Sequence, residues 1–170
     1  MFSRVRPACF ATVLLLVIPA AASAAPVSTG SQTEVAVLSP LTVLKRSDLD
    51  FGTLVVSGAG TAIVDPVGGG VTTTGAVVKA GTTAHPARFT STGSKNAVVQ
   101  IRLPKNPITL TRAGGTETVS VSTWTQDGAT TRHIPANQTF DFYVGATVTV
   151  AAAQAPGTYN GTFDVTVQYP

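Results

Sequence analysis

From Tyr159 to Tyr169 the odd positions read Tyr159, Gly161, Phe163, Val165, Val167 and Tyr169, and the even ones Asn160, Thr162, Asp164, Thr166 and Gln168. A strict period of two puts every second side chain on the same face of an extended chain, so this stretch predicts one long strand with an apolar face and a wet face. Such strands belong to antiparallel sheets that cover a core on one side only. The sequence stops one residue later, so the protein is expected to end on a core strand. Any fold for this chain has to supply a second layer for that apolar face.

The start of the chain reads differently. Arg4 and Arg6 precede an apolar run over residues 11–18, and Ala22-Ser23-Ala24 has the small-x-small form of a cleavage site. Residues 1–24 therefore read as a secretory signal peptide, too short in its apolar part to span a bilayer. The single cysteine, Cys9, falls in that leader, so the expected secreted chain has no disulfide and relies on core packing and backbone pairing. Loss of Arg4 and Arg6 from the 11 basic side chains leaves nine against 8 acidic ones, a net charge near +1. That balance gives no footprint for nucleic acid. Charged residues make up only 11% and Thr, Val, Gly and Ala dominate, as in all-β extracellular proteins.

Residues 25–40 read as an N-terminal extension, and residues 41–170 as the β domain. Short strands are expected over residues 41–44, 49–56, 61–64, 71–79, 87–92, 97–103, 108–111, 117–123, 139–144 and 147–151. Turn signals separate them: Ser57-Gly58-Ala59-Gly60, Asp65-Pro66 with Gly68-Gly69-Gly70, Gly93-Ser94-Lys95-Asn96, residues 104–107, Gly114-Gly115 and Asp127-Gly128. No window of helical length carries a sustained 3.6-residue apolar period.

Motifs for chemistry are weak. Asp50-Phe51-Gly52 spells a kinase triplet without any other kinase feature, and Phe51 reads as core, Gly52 as a bend or bulge. The glycine runs at 58–60 and 68–70 precede no helix and read as loops. His85 and His133 stand in no metal-ligand spacing, and no nucleophile elbow is present. Asp48 and Asp50 read as turn chemistry. The expectation is a protein that is not an enzyme and that holds no cofactor or metal. Trp124 is out of phase with Val119 and Val121. It either points outward as a ligand contact or, if the strand bulges, caps the end of the core.

Residues 155–161, Ala-Pro-Gly-Thr-Tyr-Asn-Gly, have the form of a tyrosine corner, which opens the penultimate strand of immunoglobulin-like sandwiches, with Gly161 where antibody domains carry cysteine. The expected fold is thus an all-β, immunoglobulin-like Greek-key β-sandwich, and if the strand after the corner is penultimate, the sandwich lacks its final strand. Leu49-Asp50-Phe51-Gly52, Ala87-Arg88-Phe89 with Gly93, residues 101–104, Phe142-Tyr143-Val144-Gly145, and Gln154 with residues 157–163 resemble a family of secreted bacterial β-domains of unknown function. The resemblance covers about residues 41–169. More distantly, the closing strand with Tyr169 is similar to the end of chaperone-usher pilins, including the archaic type.

The pilin resemblance implies a subunit of a surface fibre whose missing strand is filled first by a periplasmic chaperone and then by the N-terminal extension of a neighbouring subunit, with an outer-membrane usher as a further partner. In the extension the odd positions run Val27, Thr29, Ser31, Thr33, Val35 and Val37, of which Val27, Val35 and Val37 are apolar donor candidates. The alternative is a self-complete secreted sandwich that binds carbohydrate or another surface ligand through loops and Trp124, with residues 34–44 paired inside its own sheet.

Overall fold

A computed structural model describes residues 29–170; the leader and Val27 lie outside the described residues. Eleven strands and no helix make up the described chain. The larger sheet begins with β1 (Thr42–Ser47), β4 (Ala87–Thr92), β9 (Thr139–Val150), β7 (Thr118–Gln126), β6 (Ile108–Arg112) and β10 (Tyr159–Asn160), in that spatial order. The hairpin of β2 (Thr53–Val64) and β3 (Val71–Ala80) joins it through β9. The smaller sheet is β11 (Thr166–Gln168), β5 (Val98–Arg102) and β8 (Thr131–His133), with β5 in the middle. Every ladder is antiparallel.

Taken in chain order, β1, β4, β5, β7, β9 and β11 occupy the positions of strands A to F of an immunoglobulin sandwich. The larger sheet holds A-B-E-D as β1-β4-β9-β7, and the smaller one holds F-C as β11-β5. The protein is an all-β, immunoglobulin-like sandwich.

Strand β9 shows why the two layers meet. Its even positions, Phe140 to Val150, all face the core, and Phe142, Val144, Ala146, Val148 and Val150 are buried. Along one edge it pairs first with β4, Ala87 opposite Val144, and then with β2, Ile63 opposite Thr147. The handover falls at Gly145, where a Cβ would lie 2.1 Å from the Val64 carbonyl oxygen, so only glycine lets β2 cross there. Residues 139–144 and 147–151, expected as two strands, are therefore one.

Other boundaries also differ from expectation. Residues 57–60, expected as a turn, lie within β2 as a bulge opposite Ala76, and β2 runs unbroken for 12 residues. Residues 49–52 are not strand: Leu49 and Phe51 pack on the core from an irregular segment held by the reciprocal Asp50–His85 backbone pair. Gly52, at φ 71°, follows an Asx turn in which its amide donates to Asp50 Oδ1 at 2.7 Å. Residues 131–133, which fall outside every strand expected from the sequence, form β8.

The largest departure concerns residues 159–169. Tyr159 and Asn160 pair with β6 in the larger sheet, whereas Thr166 to Gln168 pair with β5 in the smaller one. Residues 161–165 cross between the layers outside every ladder. Gly161 permits the crossing, since a Cβ there would meet Leu110 Cδ2 at 2.6 Å and Thr109 O at 2.9 Å. The side-chain alternation survives the crossing, so Phe163, Val165 and Val167 all reach the same core cluster.

Candidate strand-acceptor edge

One flank of the sandwich is laced by chain passing from sheet to sheet, residues 103–107 from β5 to β6 and residues 161–165 from β10 to β11. The opposite flank is bounded by β1, which pairs only with β4, and by β11, which pairs only with β5. Among the described residues no strand lies on the free edge of either. The position occupied by strand G in a complete immunoglobulin sandwich, beside β11, is empty among these residues.

The core beneath is complete at its centre and thin at this flank. Ala87, Phe89, Ile101, Phe142 and Val144 are buried, while Phe163, Val165 and Val167 pack on them only half-buried. Phe89 and Phe142 stack at 5.3 Å, Phe163 meets Phe89 edge-on at 6.3 Å, and Trp124 lies 4.6 Å from Phe163, tilted against it. On β1, Val43 stands opposite buried Ser91 and shares its face, yet remains 39% exposed. Lys45, opposite buried Phe89, is exposed and paired with Asp48.

Tyr169, just past the end of β11, is tied to the segments before β1 and after β4. Its hydroxyl accepts from the Ser94 amide at 2.9 Å and donates to the Ser39 carbonyl at 2.9 Å, and the Ser39 amide donates to Ser94 Oγ at 2.6 Å. Gly93 makes room for this clasp: a Cβ there would meet Leu41, Ile134 and the Tyr169 hydroxyl, each within 2.8 Å. Before Ser39, residues 29–38 carry no regular structure and are exposed, with Val35 at 83% and Val37 at 88%. The two valines are spaced as neighbours on one face of an extended strand.

The tyrosine corner forms as expected. Tyr159 donates to the Ala155 carbonyl at 2.7 Å and accepts from Gln154 Nε2 at 2.7 Å. Trp124 is brought inward by a bulge: β7 shifts register between Ser122 and Thr125, with Thr123 at φ 52°, and this resets the phase set by Val119 and Val121. The indole packs on both core clusters, and its Nε1 is buried without a partner. Neither the Ser39–Ser94–Tyr169 clasp nor the free edge of β1 has a sequence signal, because both depend on which strands become neighbours.

A cluster of ionised groups lies on the outer face of the larger sheet, where Arg46 of β1 donates to Thr90 Oγ1 at 3.0 Å. Arg88, Thr90 and Asp141 share the outer face of β4 and β9, where hydrogen bonds from Thr90 and Arg88 hold the Asp141 carboxyl below the usual carboxylate range. Its own backbone amide, then Arg112, does the same for Glu117. Among the described residues no group of three or more His, Cys, Asp or Glu is placed to hold a metal ion, and no helix is long and apolar enough to cross a membrane. No curated protein and no solved structure matches this chain. Residues 41–169 match the family described as a domain of unknown function, DUF4402, and the chain belongs to that family.

Proposed function

We propose that this protein is a structural subunit of a bacterial surface fibre, exported behind the leader at residues 1–24 and assembled by strand exchange. The observation that carries this reading is the one-sided pairing of β11 above a half-buried core, in a chain whose N-terminal extension is exposed and alternates Val35 and Val37. An unpaired edge over apolar side chains is a template for a strand from another chain. A donated strand would pair its backbone with β11 and lay alternate side chains between Val43 and Val167, thickening the core where it is thinnest. The expected partners are further copies or related subunits, with a periplasmic chaperone and an outer-membrane usher in transit. The kinship with chaperone-usher pilins expected from the closing residues is part of this same proposal.

The test compares chains starting at Ala25 and at Leu41 by size-exclusion chromatography and negative-stain microscopy. Fibres or ladders that need residues 25–40, with the shorter chain capturing a peptide of that segment, are the expected result. Two stable monomers that ignore the peptide would refute the proposal and turn attention to ligand binding by a self-complete sandwich.

A further inference from the structure

Five strands of this sandwich have a free edge among the described residues; β11 is the proposed strand acceptor, and three of the other four are guarded. β8 and β10 are 3 and 2 residues long, and β1 carries Lys45 and Arg46 at a bulge. Short length, charge and bulges are the usual means of keeping a sheet edge from pairing with another chain. β3 is guarded least: it is long, its one charge lies near its end, and the bulge beside it, between Val56 and Gly60, belongs to β2. It is 10 residues long, pairs only with β2, and has Lys79, one residue from its end, as its only charge.

The outer face of the hairpin matches this edge. Opposed pairs there are Thr53–Ala80, Val55–Val78, Thr61–Thr74 and Ile63–Thr72, all uncharged. Val55 is 57% and Val78 59% exposed. Gly75, at φ 68°, divides β3, leaving a straight segment, residues 76–80, centred on Val78.

We propose that β3 pairs with β3 of a second copy, antiparallel about a two-fold axis at Val78. In that register Val78 opposes its counterpart, Ala76 opposes Ala80, and Val77 opposes Lys79, so no like charges face each other. Val55, Val78 and their counterparts then form one apolar row across four strands. A second copy is the occupant because the edge is self-complementary in this register: its single charge, Lys79, meets Val77 and not its own counterpart, so the same strand fits it without a clash. The contact is separate from β11 and independent of strand donation; in a fibre it would join subunits laterally.

Single cysteines test both contact and register, in a chain carrying Cys9→Ser so that the introduced thiol stands alone. Residues at the axis come within disulfide range, whereas Thr72 and its counterpart would be about 40 Å apart at 3.4 Å per residue. With an added oxidant, Val78→Cys should give a reducible dimer at least roughly tenfold faster than Thr72→Cys, because only the first pair is held together. Val78→Lys, at an exposed site, should keep the circular dichroism spectrum and sediment as a smaller species than the unsubstituted chain. Equal coupling at 72 and 78, or sedimentation unaffected by Val78→Lys, would overturn the proposal.

Discussion

Tyr169→Phe removes one oxygen and two hydrogen bonds while leaving the ring in place. The bond to the Ser39 carbonyl is exposed, so water replaces the hydroxyl there at almost no cost. The Ser94 amide is partly buried and loses its acceptor, a loss of about 1 kcal/mol with a ceiling near 2. For a domain of this size the combined effect, about 1–2 kcal/mol, lowers the melting temperature by roughly 3–6 °C. Guanidinium unfolding followed by Trp124, the single tryptophan, measures it, and the slope with denaturant should stay unchanged because no surface is newly exposed in the native state. Limited proteolysis should at the same time cut residues 36–40 faster, since the clasp is their anchor. Tyr159→Phe is the control: both of its bonds are partly buried, so it should cost at least as much without loosening the extension. A Tyr169→Phe chain as stable and as resistant as the parent would refute the assignment of the clasp.

Gly145→Ala drives a methyl into the Val64 carbonyl and Pro66, and should destabilise the domain by about 3 kcal/mol in chemical denaturation, with loss of the β2–β9 junction. Asp141 has a folded pKa below its unfolded one, so its contribution is present above about pH 4 and disappears as the pH falls through the lower, folded value. Asp141→Asn should therefore lose less stability than the parent between pH 7 and pH 3 in urea titrations. Val35→Lys with Val37→Lys, at two exposed positions, should leave the melting temperature within about 1 °C and abolish fibre growth seen by microscopy.

Much of the fold can be read from alternation, and its failures share one cause. Parity along a strand encodes which face is buried and says nothing about which neighbour supplies the hydrogen bonds. Hence Phe163, Val165 and Val167 were correctly placed on one apolar face, yet residues 159–169 were not one strand, because β10 and β11 belong to different ladders. The same blindness hid the continuity of β9 across Gly145, where a glycine that serves a close crossing looks like a break. Trp124 was out of phase for a reason the letters conceal: the bulge sits at Thr123, a β-branched residue with positive φ and not a usual bulge residue. β8 lacked any apolar alternation and owes its strand to β5. The tyrosine corner, by contrast, is local in sequence and was legible in full. Of the candidate site, the apolar face was legible and the free edges were not, since an edge is a property of the assembled sheet.

Amide hydrogen exchange at β11 tests the strand-acceptor account most directly. In the chain starting at Leu41, the outward amides of residues 165–168 should exchange rapidly, and a peptide spanning residues 25–40 should protect them while leaving β5 unchanged. Slow exchange at these amides without peptide, or no change when it is added, would contradict the claim that β11 awaits a strand from another chain.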